Sequence, residues 1–200
     1  MKITTVIPTR GLLFARTVAS LARNGISSFI IIDGLGIPDA QNTAVTEALK
    51  TDCEAIFFYE DDMEIGDGTI KAMVKLMEQG HPVVAVDYRI DGGGLISELV
   101  GETDGTPNAS GLGCTLVKRS IFEDIEAPWF RTDISMDFKT KKILNIPSKY
   151  GGQDLYFFYT LRQKGITVKM MPDYEANHLR CRELNRIQYN NGAYHIAAIR

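Results

Sequence analysis

The chain has 200 residues, 44% of them hydrophobic and 24% charged, a length that favours one domain over two very small ones and a composition outside the collagen-like, low-complexity and disordered classes. With 22 basic and 25 acidic side chains the net charge is -3, which argues against nucleic-acid binding, because that needs a basic face to displace counterions from phosphates. No apolar run approaches the roughly 18 residues of a membrane span, and Ile3 to Ile7 is too short for a signal peptide, so the expected location is cytoplasmic.

Taken in chain order, Ile3 to Ile7 is a β-branched run closed by Pro8, and Gly11 to Asn24 carries Leu13, Phe14, Val18, Leu21 and Ala22 near helical spacing. A second strand is expected over Ser28 to Ile32, followed by the turn residues Asp33 to Pro38 and by a helix that Asp39 would cap and that runs to Lys50. Ala55 to Tyr59 has no polar position, as a strand covered on both faces requires, and it runs straight into Glu60, Asp61 and Asp62. A helix from about Gly68 to Gln79 and a strand from Pro82 to Val86 come next.

Beyond residue 90 the alternation breaks. Gly92 to Gly94 and Gly101 to Ser110 read as loop, Leu112 to Val117 as strand, and Ser120 to Asp124 as the start of a short helix. The stretch from Trp129 to Tyr150 lacks clear periodicity and reads as a loop over a site. Gln153 to Lys164 is expected to be helical and Ile166 to Met171 extended.

Strands alternating with helices of 10 to 15 residues predict an α/β fold with a mostly parallel central sheet flanked by helices. Such sheets bind ligands beyond the carboxyl ends of their strands. Pro8-Thr9-Arg10, Asp33-Gly34 and Glu60-Asp61-Asp62 each end a predicted strand, so three polar clusters are expected along one edge.

The charge is uneven: residues 1 to 100 carry 8 basic and 14 acidic side chains, and residues 101 to 200 carry 14 basic and 11 acidic. The first half can hold a cation and the second an anion. Three consecutive carboxylates at a strand end repel one another unless they are solvated or face a cation. Magnesium and manganese favour carboxylate oxygen and complete their shells with water and phosphate. A solvated acidic turn is the alternative. An EF-hand is excluded, since Met63, Ile65 and Ala72 would fill ligand positions, and a dinucleotide GxGxxG fingerprint fails at Asp39. Asp33 either accepts hydrogen bonds from a base or ribose or is an ordinary turn aspartate. Cys53, Cys114 and Cys181 lie far apart without a CxxC pair, and His178 with Cys181 lacks the second pair of a zinc site.

The run Ile3 to Arg10, then Ile31-Ile32-Asp33-Gly34, Ala40-Gln41-Asn42-Thr43-Ala44 and Phe57 to Asp62, resembles in order and spacing the donor-binding half of family 2-type glycosyltransferases with the GT-A fold. Gly111 to Arg119 and Gly151 to Tyr156 resemble that family's acceptor-side strand and acidic catalytic motif. The resemblance covers roughly residues 3 to 180 and implies one domain over 1–200, with residues 1–90 as the donor-binding half and 91–200 as the acceptor and catalytic half.

What the resemblance implies is a transferase moving a sugar from a nucleotide-sugar donor, UDP first, to a hydroxyl-bearing acceptor. Pro8, Thr9 and Arg10 would sit beside the nucleotide, Asp33 would bind its base, and Asn42 would lie on the flanking helix. Glu60-Asp61-Asp62 would be the DXD-like element, with Glu60 and Asp62 as ligands of Mn2+ or Mg2+, Asp61 toward the donor, and His178 as a late histidine ligand. Asp154 would be the general base beside Gln153, which replaces a frequent glutamate; a helix cap is the other role for Asp154. Arg180, and less so Arg182, would contact the diphosphate. On the acceptor side, Gly113 belongs to the implied strand, and Trp129 either stacks on a sugar or anchors its loop.

Two rivals accompany this reading. A nucleotidyltransferase would carry a glycine-rich basic loop after the first strand, where only Gly11 stands, and a non-catalytic sugar-nucleotide-binding module is compatible with Gln153. The chain is short for the family, so the acceptor site would come from loops after residue 90 or from a second copy in a homo-oligomer.

Overall fold

A computed structural model describes residues 1–89, 95, 109–133, 135–137, 142–144, 152–179, 187–190 and 193–196. A seven-stranded sheet forms the centre, in the order β2 (Ile30–Asp33), β1 (Ile3–Thr9), β3 (Ala55–Tyr59), β6 (Cys114–Lys118), β5 (Val83–Tyr88), β9 (Lys169–His178) and β4 (Met63–Glu64). β1 pairs in parallel with β2 and β3, and β5 with β9, whereas β6 is antiparallel to both neighbours and β4 is antiparallel to β9. Five of the seven strands therefore run the same way, as the alternating pattern predicts. Two separate two-stranded ribbons pair β7 (Ser135–Asp137) with β8 (Lys142–Leu144) and β10 (Ile187–Asn190) with β11 (Ala193–Ile196).

Strand period sorts the core onto two faces. From β3, Ile56 and Phe58 enter one cluster and Ala55, Phe57 and Tyr59 the other, which is why that strand has no polar position. The first face packs against α2 (Asp39–Leu49) through Ala44 and Val45, α4 (Arg119–Asp124) through Ile121 and Phe122, and α5 (Gln153–Gln163) through Phe157 and Leu161. The second packs against α1 (Ala15–Arg23) through Leu21 and α3 (Thr69–Glu78) through Ile70, Met73 and Met77.

Several boundaries differ from the sequence expectation. β1 continues through Pro8 to Thr9, because its ladder to β3 ends at Val6 and a missing amide donor is tolerated beyond that point. α1 starts only at Ala15, leaving Arg10 to Leu13 as a loop over the strand ends. Asp39 does not cap α2; it is the first helical residue and Pro38 holds the cap position. β9 runs on to His178, past the Pro172-Asp173 pair that reads as a turn, and pairing with β5 shifts register between Met170 and Glu175 to absorb that pair. The strand expected to stop at Met171 therefore reaches His178, which ends it.

Candidate active site

Three strand ends converge with the start of β6. Tyr59 pairs with Cys114 and Tyr88 with Ala176, so the segments after β3 and before β6, together with the last residues of β5 and β9, share one edge. The turn Glu60-Asp61-Asp62 is pinned by its own backbone: Glu60 N–H donates to Gly113 O at 3.1 Å, Phe14 N–H to Asp61 O at 3.1 Å, and Leu179 N–H to Asp62 O at 2.5 Å. The Thr17 hydroxyl adds a bond to Asp61 O at 2.9 Å. These groups come from α1, β6 and the end of β9, so the acidic turn is held from three sides.

Pairing of Met63 with His178 carries the imidazole to the carboxylates. His178 Nε2 is 3.0 Å from Asp62 Oδ2. One potential ligand atom from each of Glu60, Asp62 and His178 falls within 4.8 Å of the others. The Asp62 carboxylate, by hydrogen bond and charge, raises the His178 pKa. Burial, then the charges of Asp154 and Asp62, push Glu60 up to about 8. Burial also raises Asp61, opposed by Thr9 and by the backbone N–H of Arg10. A half-buried cluster of like charges with an imidazole at its edge fits a small divalent cation: oxygen and nitrogen donors converge, and a positive ion would remove the repulsion that now favours protonation.

A cleft of about 410 Å³ opens beside this cluster, lined by Pro8, Thr9, Arg10 and Leu12 after β1, by Leu35, Ile37, Ala40 and Gln41 around the start of α2, and by Glu60, Asp61, Asp62 and Gln153. Its walls join large apolar side chains to carboxylates. Leu12 is 61% exposed and Leu35 and Ile37 are each 40% exposed, which leaves apolar surface free for a ligand face.

Asp154 lies in the first turn of α5 but does not cap it; Gly152 holds that position with φ 112°, a left-handed conformation suited to glycine. The carboxylate instead accepts from Leu112 N–H at 3.3 Å through Oδ2, while Oδ1 is buried without a partner. Burial pushes its pKa up to about 6, against the pull of the Leu112 amide and Gln153. Gln153 is 6% exposed and its Oε1 also lacks a partner.

Other sequence candidates stand apart from the cleft. Asp33 ends β2 opposite Thr9 but is solvent-exposed and does not line the cleft. Asn42 spends its amide on the backbone of Phe130, donating to its carbonyl at 2.9 Å and accepting from its N–H at 3.1 Å. Trp129 donates its indole N–H to the carbonyls of Phe122 and Ile125 and packs edge-on against the Phe122 ring. It anchors its loop. Gly113 lies against Glu60, as described below. Arg180, Arg182, Cys181 and most of the loops at 90–110 and 134–151 fall outside the described residues.

Sequence reading missed Gln41 and Tyr88. Gln41 is 4% exposed, lines the cleft and has an unpartnered Oε1; its neighbour Asn42 drew attention only through the resemblance. Tyr88 is hidden at the end of an apolar strand, and no sequence signal separates it from a core tyrosine.

No protein-family profile and no curated protein matches the sequence. Solved structures do match. Protein A197 from STIV superposes with a TM-score of 0.70 at 20% identity over 90% of this chain and 86% of that one. GalNAc-T7, solved with UDP, GalNAc and Mn2+, matches with a TM-score of 0.62 at 12% identity over 90% of this chain. The chain has the GT-A fold. A third GT-A structure, residues 1–349 of S. aureus TarS in complex with UDP-GlcNAc, has a TM-score of 0.56 at 14% identity over 88% of this chain. This GT-A chain covers 44% of the GalNAc-T7 chain and 58% of the TarS one, about half of each. No helix among the described residues is long and apolar enough to cross a membrane.

Proposed function

We propose that this chain is a glycosyltransferase that moves a sugar from a nucleoside-diphosphate sugar to an acceptor hydroxyl with the help of a divalent cation. The observation that carries the reading is the single cleft in which the apolar side chains Leu12, Leu35 and Ile37 share walls with Glu60, Asp61 and Asp62. A nucleotide sugar has that double character: a flat, largely apolar base at one end and a charged diphosphate at the other.

Glu60, Asp62 and His178 would hold Mn2+ or Mg2+, which supplies Lewis-acid stabilisation of the charge that grows on the departing diphosphate. Pro8, Thr9, Arg10 and Asp61 would bind the nucleotide, with the Arg10 guanidinium exposed at the mouth of the cleft. Asp154 is the candidate general base. A carboxylate at about 6 is ionised at neutral pH yet more basic than an ordinary aspartate, which suits removal of a proton from an attacking hydroxyl. Its Oδ1, buried without a partner, is the oxygen that would take that proton. UDP is the first nucleotide to test, because the GalNAc-T7 and TarS structures hold UDP and UDP-GlcNAc.

The deciding measurement is calorimetric titration with UDP and with GDP, each with and without Mn2+. Metal-dependent binding of one of them is expected. Binding of neither, in either condition, would sink the reading.

A further inference from the structure

We propose that Tyr88 is a positioning residue for the cation site: its ring sets the His178 imidazole, its hydroxyl steadies the Glu60 carboxyl, and the missing side chain of Gly113 makes room for both. The inference rests on the metal reading above and assigns a role to two residues outside the ligand set.

Three observations converge. Tyr88 is the last residue of β5, 4% exposed, and its register partner Ala176 lies two residues before His178 on β9, so Ala176 and His178 point to the same side of the strand. The two rings meet edge to face, with centroids 5.6 Å apart and planes at 70°. A Cβ placed on Gly113 would lie 3.0 Å from Glu60 Oε2, 3.0 Å from Tyr88 Cζ and 3.0 Å from the Tyr88 hydroxyl oxygen. The carboxyl and the phenol therefore crowd the same point, and only glycine leaves it empty.

The backbone fixes that point. Gly113 O accepts from Glu60 N–H at 3.1 Å, and the adjacent Leu112 N–H donates to Asp154 at 3.3 Å, so this turn sits between the two carboxylates. A phenol is un-ionised at neutral pH, so the buried Tyr88 hydroxyl is a neutral donor.

The chemistry explains the choice of side chain. A lysine here would neutralise the carboxylates and compete with the cation, and a phenylalanine would give ring contact without a donor. Tyrosine supplies both a ring edge and one neutral O–H. Groups behind metal ligands that fix ligand orientation in this way are worth roughly 10- to 100-fold in metal affinity.

The test is a Mn2+ titration of the whole chain followed by the electron paramagnetic resonance signal of free Mn2+. Wild type, Tyr88→Phe, Tyr88→Leu and Gly113→Ala are compared, with the urea unfolding midpoint of each as a measure of folding. Tyr88→Phe, which keeps the ring, is expected to bind Mn2+ about 10-fold more weakly with little change in midpoint, and Tyr88→Leu more weakly again. Gly113→Ala, which keeps Tyr88 but fills the shared point, is expected to lose affinity comparably. Tyr88→Phe binding within twofold of wild type, or Gly113→Ala binding unchanged, overturns the role. A wild type that binds no Mn2+ overturns the metal reading and this role with it.

Discussion

His178 Nε2 sits 3.0 Å from Asp62 Oδ2 because the two-residue strand β4 pairs Met63 directly with His178. The same pairing lets Leu179 N–H close on Asp62 O at 2.5 Å. A turn at one strand end and a histidine at another are thus welded into a single unit by two residues of sheet.

That unit should bind metal in a pH-dependent way. Both ligands with raised pKa values, Glu60 at about 8 and His178, must lose their protons to coordinate. Mn2+ affinity is expected to rise as pH increases from 6 to 8.5 and to level off above the Glu60 pKa. A titration series across that range checks it. His178→Ala should weaken Mn2+ by at least about 10-fold, the scale expected for disturbing a metal shell.

The metal-free chain should show the opposite dependence in its stability. An acid whose folded pKa lies above its unfolded value binds more protons when folded, so its contribution is fully present below the unfolded pKa and is lost as pH rises through the folded one. For Glu60 that window runs from about 4.5 to about 8, and Asp154, up to about 6, adds a narrower one. The melting temperature is expected to fall between pH 5 and 8.5 without metal. Glu60→Gln should flatten most of that slope, and saturating Mn2+ should restore the alkaline end.

Asn42→Ala should destabilise the fold. The variant removes three hydrogen bonds, one of them the amide donation to Pro38 O at 3.2 Å, and leaves the Phe130 backbone N–H and C=O without their partner, a loss of about 2 to 3 kcal/mol. For a domain of this size that corresponds to roughly 5 to 10 °C in melting temperature. Thermal unfolding measures it, and an unchanged midpoint would show that these bonds contribute nothing.

Gln41 and Asp33 should separate in nucleotide binding. Gln41→Leu removes a cleft-lining amide with an open oxygen and is expected to weaken UDP about 5- to 10-fold, the worth of one hydrogen bond. Asp33→Ala, at an exposed position off the cleft, should stay within about twofold by the same measure. Reversal of that order in a calorimetric titration would return base recognition to Asp33.

Asp154→Asn should leave UDP and Mn2+ affinities within a few-fold of wild type while lowering transfer, or slow donor hydrolysis, by about 100-fold or more, the usual reach of a general base. Equal slow hydrolysis in both proteins would instead identify a binding module.

Most strands and helices of the first ninety residues were legible because each announces itself locally; the two-residue β4 was not, since only its pairing with β9 makes it a strand. Ala55 to Tyr59 is buried on both faces, and its all-apolar run predicts that. The Glu60-Asp61-Asp62 cluster could be read for the same reason: three carboxylates in a row are unusual wherever they lie, and their place after a buried strand points to a ligand. His178 as part of β9 was not legible, since Pro172 and Asp173 look like a turn and only pairing with β5 and β4 carries the strand through them. Asn42 and Gln41 are adjacent amides of similar chemistry, and nothing local shows that one clamps Phe130 while the other faces the cleft.

By itself, the sequence determined the α/β alternation, the edge at which strands end in polar residues, and the acidic turn, because propensity, burial period and charge repulsion act between near neighbours. Tertiary structure alone decided how His178, tied to Glu60 and Asp62 in the sequence only by the family resemblance, reaches them through β4, that Tyr88 and Glu60 share the gap at Gly113, and that Asp154 bonds Leu112 instead of capping its helix. Those outcomes depend on strand register and on contacts between distant segments, where a one-residue slip would turn each side chain to the opposite face.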